Sequence, residues 1–355
     1  MMTTFPADEG EQVTLANWRT APFNKWAFHH VSEIVPSAMI KNDPANVMPL
    51  PAGAQISMPI VGGLDFDSYL ARTHTDGLVI VHQGKVIHES YANGMTASDP
   101  HICMSVSKSM MAMLAGVLAE KGILDPNAEA TVYIPELAKT AFAGATVQQL
   151  LDMRSGITFD EDYLTTSGPI VEYRKATNWN PLEPGQPETD LRSFLLTLTE
   201  SDGPHGGKFD YKSPCTDLLG WIIERASGRR YADLFSELIW RPMGAESPAM
   251  VTVDRLGAPR TAGGMSVTTR DLARVGQMLC TDGARVISNS WIEDIETAGD
   301  PDAWANGSFA DDFPGMPMHY RSKWYVFRRP SPVMFCLGIH GQNLFVDRRA
   351  GLVLA

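Results

Sequence analysis

Cysteine is scarce in this 355-residue chain: Cys103, Cys215, Cys280 and Cys336 stand singly, with no CxxC pair. That excludes a clustered zinc site or a disulfide-dense scaffold and fits a reducing compartment. Positive charge is in deficit too, 29 Lys plus Arg against 41 Asp plus Glu for a net charge of −12. Such a surface repels phosphate backbones and anionic bilayers, so neither a nucleic acid nor a membrane partner is expected. No apolar run approaches the ~20 residues of a membrane span; the longest, Met110 to Ala119, is interrupted by Gly116 and reads as a buried helix. The N-terminus carries acids where a secretion signal needs bases followed by an apolar run, so the expected location is cytoplasmic. A GxSxG elbow, HExxH, a strand-linked GxGxxG and a Walker loop are all missing. His29, His30, His82 and His88 lack a Cys or carboxylate at metal-ligand spacing, so no metal site is predicted.

What is there is a globular composition, 44% apolar and 20% charged, long enough for about two domains. Residues 1–70 are rich in Pro and Gly and predict an arm laid over a domain surface. Two β-rich runs between Leu78 and Ala92 flank Gln83-Gly84 and predict a hairpin that opens a sheet. From Ser105 the pattern turns helical and almost wholly apolar, closing on Lys121 with Gly122 at the left-handed cap position. Thr146 and Gln149 have the spacing of a capping box. Residues 160–190 read as a long polar loop. Further helices are predicted at Leu191 to Thr197, Pro214 to Ala226 with Ser213 as N-cap, Tyr231 to Trp240 and Thr269 to Cys280. Asn343 to Asp347 and Gly351 to Leu354 predict a closing hairpin, and an apolar strand at the chain end leads us to expect a further C-terminal segment. Strands at both ends with helices between indicate an α/β domain of residues 1–100 and 260–355, into which a mostly helical domain of residues 101–259 is inserted. The cleft between them is the expected active site.

Ser105-Val106-Ser107-Lys108 opens the buried helix, and none of the other nine lysines has a serine three positions before it. Residues i and i+3 share a helix face at about 5–6 Å, so Lys108 can reach the Ser105 hydroxyl. Ser105 also stands at the positive end of the helix dipole, where its N–H can hold a developing oxyanion. A lysine buried against an apolar helix is disfavoured as a cation and becomes available as a base. An N-cap serine followed by a solvent-exposed lysine is the plain alternative. Tyr211, just ahead of the helix at Pro214, is either a proton-relaying phenol or an aromatic packed at a helix entry. The cluster Met104, Met110, Met111 and Met113 reads as packing.

Together these segments resemble the serine β-lactamase and penicillin-binding-protein superfamily, in the branch of class C β-lactamases, carboxylesterases and 6-aminohexanoate-dimer hydrolases. The order matches: Ser105 to Lys108, then Tyr211-Lys212-Ser213, then Leu337-Gly338-Ile339-His340-Gly341-Gln342. Thr146 to Leu151 with Ser155-Gly156, and Gly263 to Ser266 with Thr269 to Arg274, are similar as well, so the likeness spans residues 75–355. Val13 to Arg19 and Gly338 to Gln342 bring it nearest to the 6-aminohexanoate-dimer hydrolases.

The resemblance implies a β-lactamase-like α/β (α+β) fold, an antiparallel sheet flanked by helices. It implies a small-molecule ester or amide substrate cleaved through an acyl-enzyme, without a cofactor. Ser105 is then the nucleophile, Lys108 its base and Tyr211 the proton relay, with the Ser105 and Ile339 N–H groups as the oxyanion hole. Tyr163 and Trp324 would line the substrate cleft, Ser213 takes the place of a usual Asn, and His340 lies beside the oxyanion strand. Cys336-Leu337-Gly338 stands where β-lactamases have Lys-Thr-Gly. The cation that holds a β-lactam carboxylate is therefore missing, which favours esters and amides that do not need it. The rival readings are a D-amino-acid peptidase or transesterase and a catalytically silent ligand-binding homologue; the silent one is expected to have lost one of the three groups, and all three are here.

Overall fold

The structure, a computed structural model, describes residues 1–281, 283 and 286–355. Among these residues the strands fall into two sheets, with every strand pairing antiparallel. The smaller sheet has the order β1 (Ser37–Ile40), β5 (Ala249–Thr252), β6 (Met265–Val267), β4 (His101–Ile102). The larger has seven strands: β3 (Lys85–Tyr91), β2 (Gly77–His82), β11 (Leu352–Leu354), β10 (Gln342–Asp347), β9 (Val333–Gly338), β8 (Trp324–Phe327) and β7 (Met318–Arg321). Chain-end strands thus meet in its middle, where Val353 pairs with Val81. The hairpin turn forms as expected, with Gln83 and Gly84 at φ 49° and 77°, the geometry of a tight two-residue connection. The expected closing hairpin is β10 with β11.

Helix α1 (Val106–Glu120) is buried at every residue from Val106 to Leu118 and packs on β9 and β10. It ends at Lys121 with Gly122 at φ 67°, as its sequence signals. The Thr146/Gln149 capping box is present in full on Val147–Leu151. Helices α3 (Pro214–Ser227) and α4 (Thr269–Cys280) also lie where the sequence predicts.

Three details differ from expectation. Residues 160–190 are not all loop, because Pro169–Ala176 forms a helix, α2, entered through Gly168 at φ 85° with Pro169 in its first turn. Its buried Ile170, Tyr173 and Ala176 recur every third residue, a helical face too short to stand out in a polar stretch. Ser213 precedes α3 but does not cap it; its side chain bonds elsewhere. The stretch 101–259 is mostly helical yet also supplies β4 and β5 to the smaller sheet.

The N-terminal arm is built in as well as laid on. Val13, Trp18, Phe28, Val31 and Val35 form a small core with Trp179 and with Ile102 and Met104, the residues just before α1. The Phe28 carbonyl accepts from the Ile102 N–H at 2.8 Å, so the arm braces the entrance to α1.

Candidate active site

Ser105 is held at the head of α1 by a strained turn. Met104 adopts φ 47°, a region that costs a non-glycine residue energy and is kept only when its surroundings impose it. They do: Cys103 N–H bonds the Met265 carbonyl at 2.7 Å, and the Ser107 hydroxyl accepts from Met265 N–H at 3.1 Å. The end of β9 presses on the same turn. A Cβ on Gly338 would lie 2.7 Å from the Cys103 carbonyl and 3.0 Å from the Met104 Cβ, so glycine alone permits the approach. Ile339 follows at the exposed tip. Among the described residues neither the Ser105 nor the Ile339 N–H has a backbone acceptor.

The Ser105 side chain does not cap the helix. Lys108 lies one turn on with its Nζ 2.8 Å from Ser105 Oγ and 2.7 Å from the Ala262 carbonyl. At 1% exposure it is not the solvent-facing lysine of the plain alternative. Burial pushes its ammonium down to about 7, with Arg260 and Lys323 acting the same way against the opposing carboxylates of Glu161 and Asp217. Tyr211 is buried beside the pair, its ring 5.0 Å from Lys108 Nζ, and the neighbouring Ser105 hydroxyl favours its ionised form against the larger effect of burial. The ring stacks on Phe309 at 5.0 Å, and the Tyr211 N–H donates to Ser308 Oγ, which fixes the phenol. Burial raises its ionisation well above the ordinary tyrosine value.

The lysine inside the Tyr211 motif is different. Lys212 Nζ meets Asp210 at 2.7 Å and Asp202 at 3.0 Å, and these carboxylates overcome burial and hold it protonated. Of the two lysines, only Lys108 contacts Ser105 and has its charged form disfavoured.

Ser213 and Tyr163 converge on a residue that sequence reasoning missed. Both the N–H and the hydroxyl of Ser213 donate to the Glu161 carboxylate, and the Tyr163 hydroxyl donates to it at 2.6 Å. Nothing marks Glu161 in Phe159-Asp160-Glu161-Asp162 except its neighbour Tyr163. Tyr163 is 39% exposed at the rim. His340 is exposed on the β9–β10 turn at φ 69°, with its ring 5.1 Å from Phe28 of the arm. Trp324, expected to line the cleft, is 1% exposed at the start of β8, and its indole N–H has no acceptor among the described residues. The turn before it is pulled inward, with the Lys323 N–H bonding the Leu151 carbonyl and the Lys323 carbonyl accepting from Ser109 of α1.

An apolar cavity of about 730 Å³ lies on the other side of the β9–β10 turn, between α4, the large sheet and residues 56–75, and touches none of Ser105, Lys108 and Tyr211. No helix among the described residues is long and apolar enough to cross a membrane.

The site thus sets a serine hydroxyl 2.8 Å from a desolvated amine, with a buried phenol beside them. Comparison with known proteins places the chain among hydrolases. Residues 66–355 match the beta-lactamase family model. The 6-aminohexanoate-dimer hydrolase of Paenarthrobacter ureafaciens is 34% identical over 99% of this chain and 89% of its own length. A solved structure from Bacillus anthracis assigned as a 6-aminohexanoate-dimer hydrolase superposes with a TM-score of 0.88 at 28% identity, over 98% of this chain and 91% of that one. A family VIII carboxylesterase shares the fold at a TM-score of 0.59 and 17% identity, over 81% of this chain and 88% of that one.

Proposed function

The chain belongs to the beta-lactamase family and is a hydrolase, and from that premise we propose that it cleaves small amides or esters through an acyl-enzyme on Ser105, with linear aminohexanoate oligomers among its amide substrates. The observation that carries this reading is the 2.8 Å contact between Ser105 and a fully buried Lys108.

Burial acts on the two proton carriers in opposite senses, lowering Lys108 and raising Tyr211. The favoured resting pair is therefore a neutral amine with a neutral phenol, not an ammonium with a phenolate. Lys108 is the base. One of its N–H bonds is spent on the Ala262 carbonyl, which turns its lone pair toward the Ser105 hydroxyl. As Ser105 Oγ bonds to the substrate carbonyl carbon, its proton passes to Lys108. The Ser105 and Ile339 N–H groups hold the oxyanion, and Tyr211 hands a proton to the departing alkoxide or amine while Lys108 resupplies it. Water then takes the place of the leaving group and the acid is released. Tyr163 and His340 border the mouth, and Ser213 acts by tying Glu161 to the Tyr211 loop. Strand β9 carries Cys336 and Leu337 before Gly338 and offers no cation to a substrate carboxylate, which supports open-chain amides and esters over β-lactams.

Hydrolysis of p-nitrophenyl butyrate and of the linear 6-aminohexanoate dimer by wild type, Ser105→Ala, Lys108→Met and Tyr211→Phe tests this. Each substitution is expected to lower kcat by about 10³-fold or more, non-additively when combined. Full activity in Ser105→Ala would overturn the mechanism; wild-type turnover of the ester without the dimer would overturn only the oligomer as substrate.

A further inference from the structure

Asp217 lies on α3 one turn beyond Ser213 and is fully buried, with no contact to Ser105. Its carboxylate is saturated. One oxygen accepts the Ala262 N–H at 2.7 Å and the Thr261 hydroxyl at 3.2 Å. The other accepts the Tyr173 hydroxyl at 2.5 Å and the Arg260 guanidinium. Arg260 is itself buried, stacked 4.1 Å over Tyr173 and 5.1 Å over Trp179. Three consecutive residues, Arg260, Thr261 and Ala262, are thereby clamped onto one carboxylate, and the carbonyl of the last of them accepts from Lys108 Nζ at 2.7 Å. The single Thr261 hydroxyl proton is shared between that carboxylate and the nearer Thr216 carbonyl at 2.8 Å, tying the clamp to α3 itself.

We propose that Asp217, with Arg260, is the positioning device of the general base: it fixes the Ala262 peptide that aims the Lys108 amine at Ser105. This rests on the Ser105–Lys108 reading above. A buried ion pair is weak as a source of stability, since desolvation offsets its attraction, and is better explained where it fixes one geometry. Here the geometry fixed is that of a neutral amine, whose two hydrogens and lone pair turn freely about one bond until a carbonyl such as that of Ala262 accepts one of the hydrogens. An angstrom of drift in such a contact is enough to cost about 10²-fold in rate.

The charged groups acting on Lys108 are Glu161 from the loop before α2, Asp217 from α3, Arg260 from the segment before β6 and Lys323 from the β7–β8 turn. Asp217→Asn removes one charge that favours the ammonium and leaves Arg260, which disfavours it. An amide offers one acceptor oxygen where the carboxylate uses two, so either Ala262 or Arg260 loses its partner.

The test is the pH dependence of kcat and KM for p-nitrophenyl butyrate, with rates normalised to sites titrated by a fluorophosphonate so that unfolded protein drops out. Asp217→Asn is expected to lower kcat per titrated site 10- to 100-fold with KM within about threefold, and to move the acid limb of kcat/KM to lower pH. Thr261→Val, which removes one clamp donor at constant shape, is expected to lower kcat severalfold and, because no charge changes, to leave the limb in place. Wild-type kcat per site in both variants, or a loss confined to the number of titratable sites, would overturn the positioning role and leave the serine mechanism standing. No fluorophosphonate labelling of Ser105 in wild type would instead overturn the mechanism beneath it.

Discussion

The pH profile of kcat/KM follows directly from how Lys108 is buried. A lysine in water, near 10.4, has a neutral fraction of only about one in 2,500 at pH 7. With its pKa lowered to about 7 by desolvation, roughly half of the enzyme carries the free amine there, a gain of about 10³-fold in competent base. Activity should therefore rise with pH through a single acid limb centred near pH 7. Two units below the midpoint the rate should be about 1% of the plateau, with a slope of one decade per pH unit. No loss is expected from Tyr211 on the alkaline side within the stable range, because burial holds its phenol protonated. The assay is p-nitrophenyl butyrate hydrolysis followed at the isosbestic wavelength of nitrophenol, from pH 5 to 9. The same shift sets the sign of stability. Above the folded value of about 7 the unfolded chain keeps a proton that the folded chain has released, so this group makes the fold more stable as pH rises toward the ordinary lysine value. A kcat/KM that stays flat down to pH 5, or a limb near pH 10, would refute a neutral, buried lysine as base.

Other perturbations give outcomes of known sign. Glu161→Gln removes the carboxylate that most favours the Lys108 ammonium, so the acid limb should move below its wild-type position, and the amide loses one of the oxygens that now accept from Ser213 and Tyr163. Gly338→Ala puts a methyl 2.7 Å from the Cys103 carbonyl; overpacking of this kind costs about 1–3 kcal/mol, and kcat should fall more than thermal stability, read by parallel kinetics and melting. Lys212→Met leaves Asp210 and Asp202 without their shared buried cation and should lower Tm by several degrees, a loss of about 3–5 kcal/mol for an uncompensated buried partner, discounted because Asp202 is half exposed.

Local signals carried much of this molecule. The Gln83-Gly84 turn, the Thr146 capping box and the Gly122 cap are each decided by a few adjacent residues, and each formed as read. Ser105 and Lys108 were legible because the i,i+3 geometry of one helix brings them together without help from the rest of the fold. Glu161, Asp217 and the Ala262 carbonyl were not legible, because they reach the site from separate segments that only tertiary packing joins. Helix α2 was hidden by Gly168 and Pro169, which read as loop residues but serve as its entry. Ser213 shows the converse: its place before Pro214 is that of a cap, yet a carboxylate 52 residues away in sequence outcompetes the helix end for its hydroxyl. Trp324, placed by likeness in the cleft wall, is buried at the start of β8 beside Lys323, whose Nζ donates to the Leu150 carbonyl.

The central claim is a covalent intermediate on Ser105. Its most direct measurement is intact-protein mass spectrometry of wild type and Ser105→Ala quenched in acid after brief mixing with p-nitrophenyl butyrate, followed by peptide mapping. A butyryl adduct on the peptide containing Ser105, decaying as nitrophenolate accumulates and absent from Ser105→Ala, is the predicted result. Nitrophenolate release by wild type with no adduct, or an adduct that persists in Ser105→Ala, would contradict it.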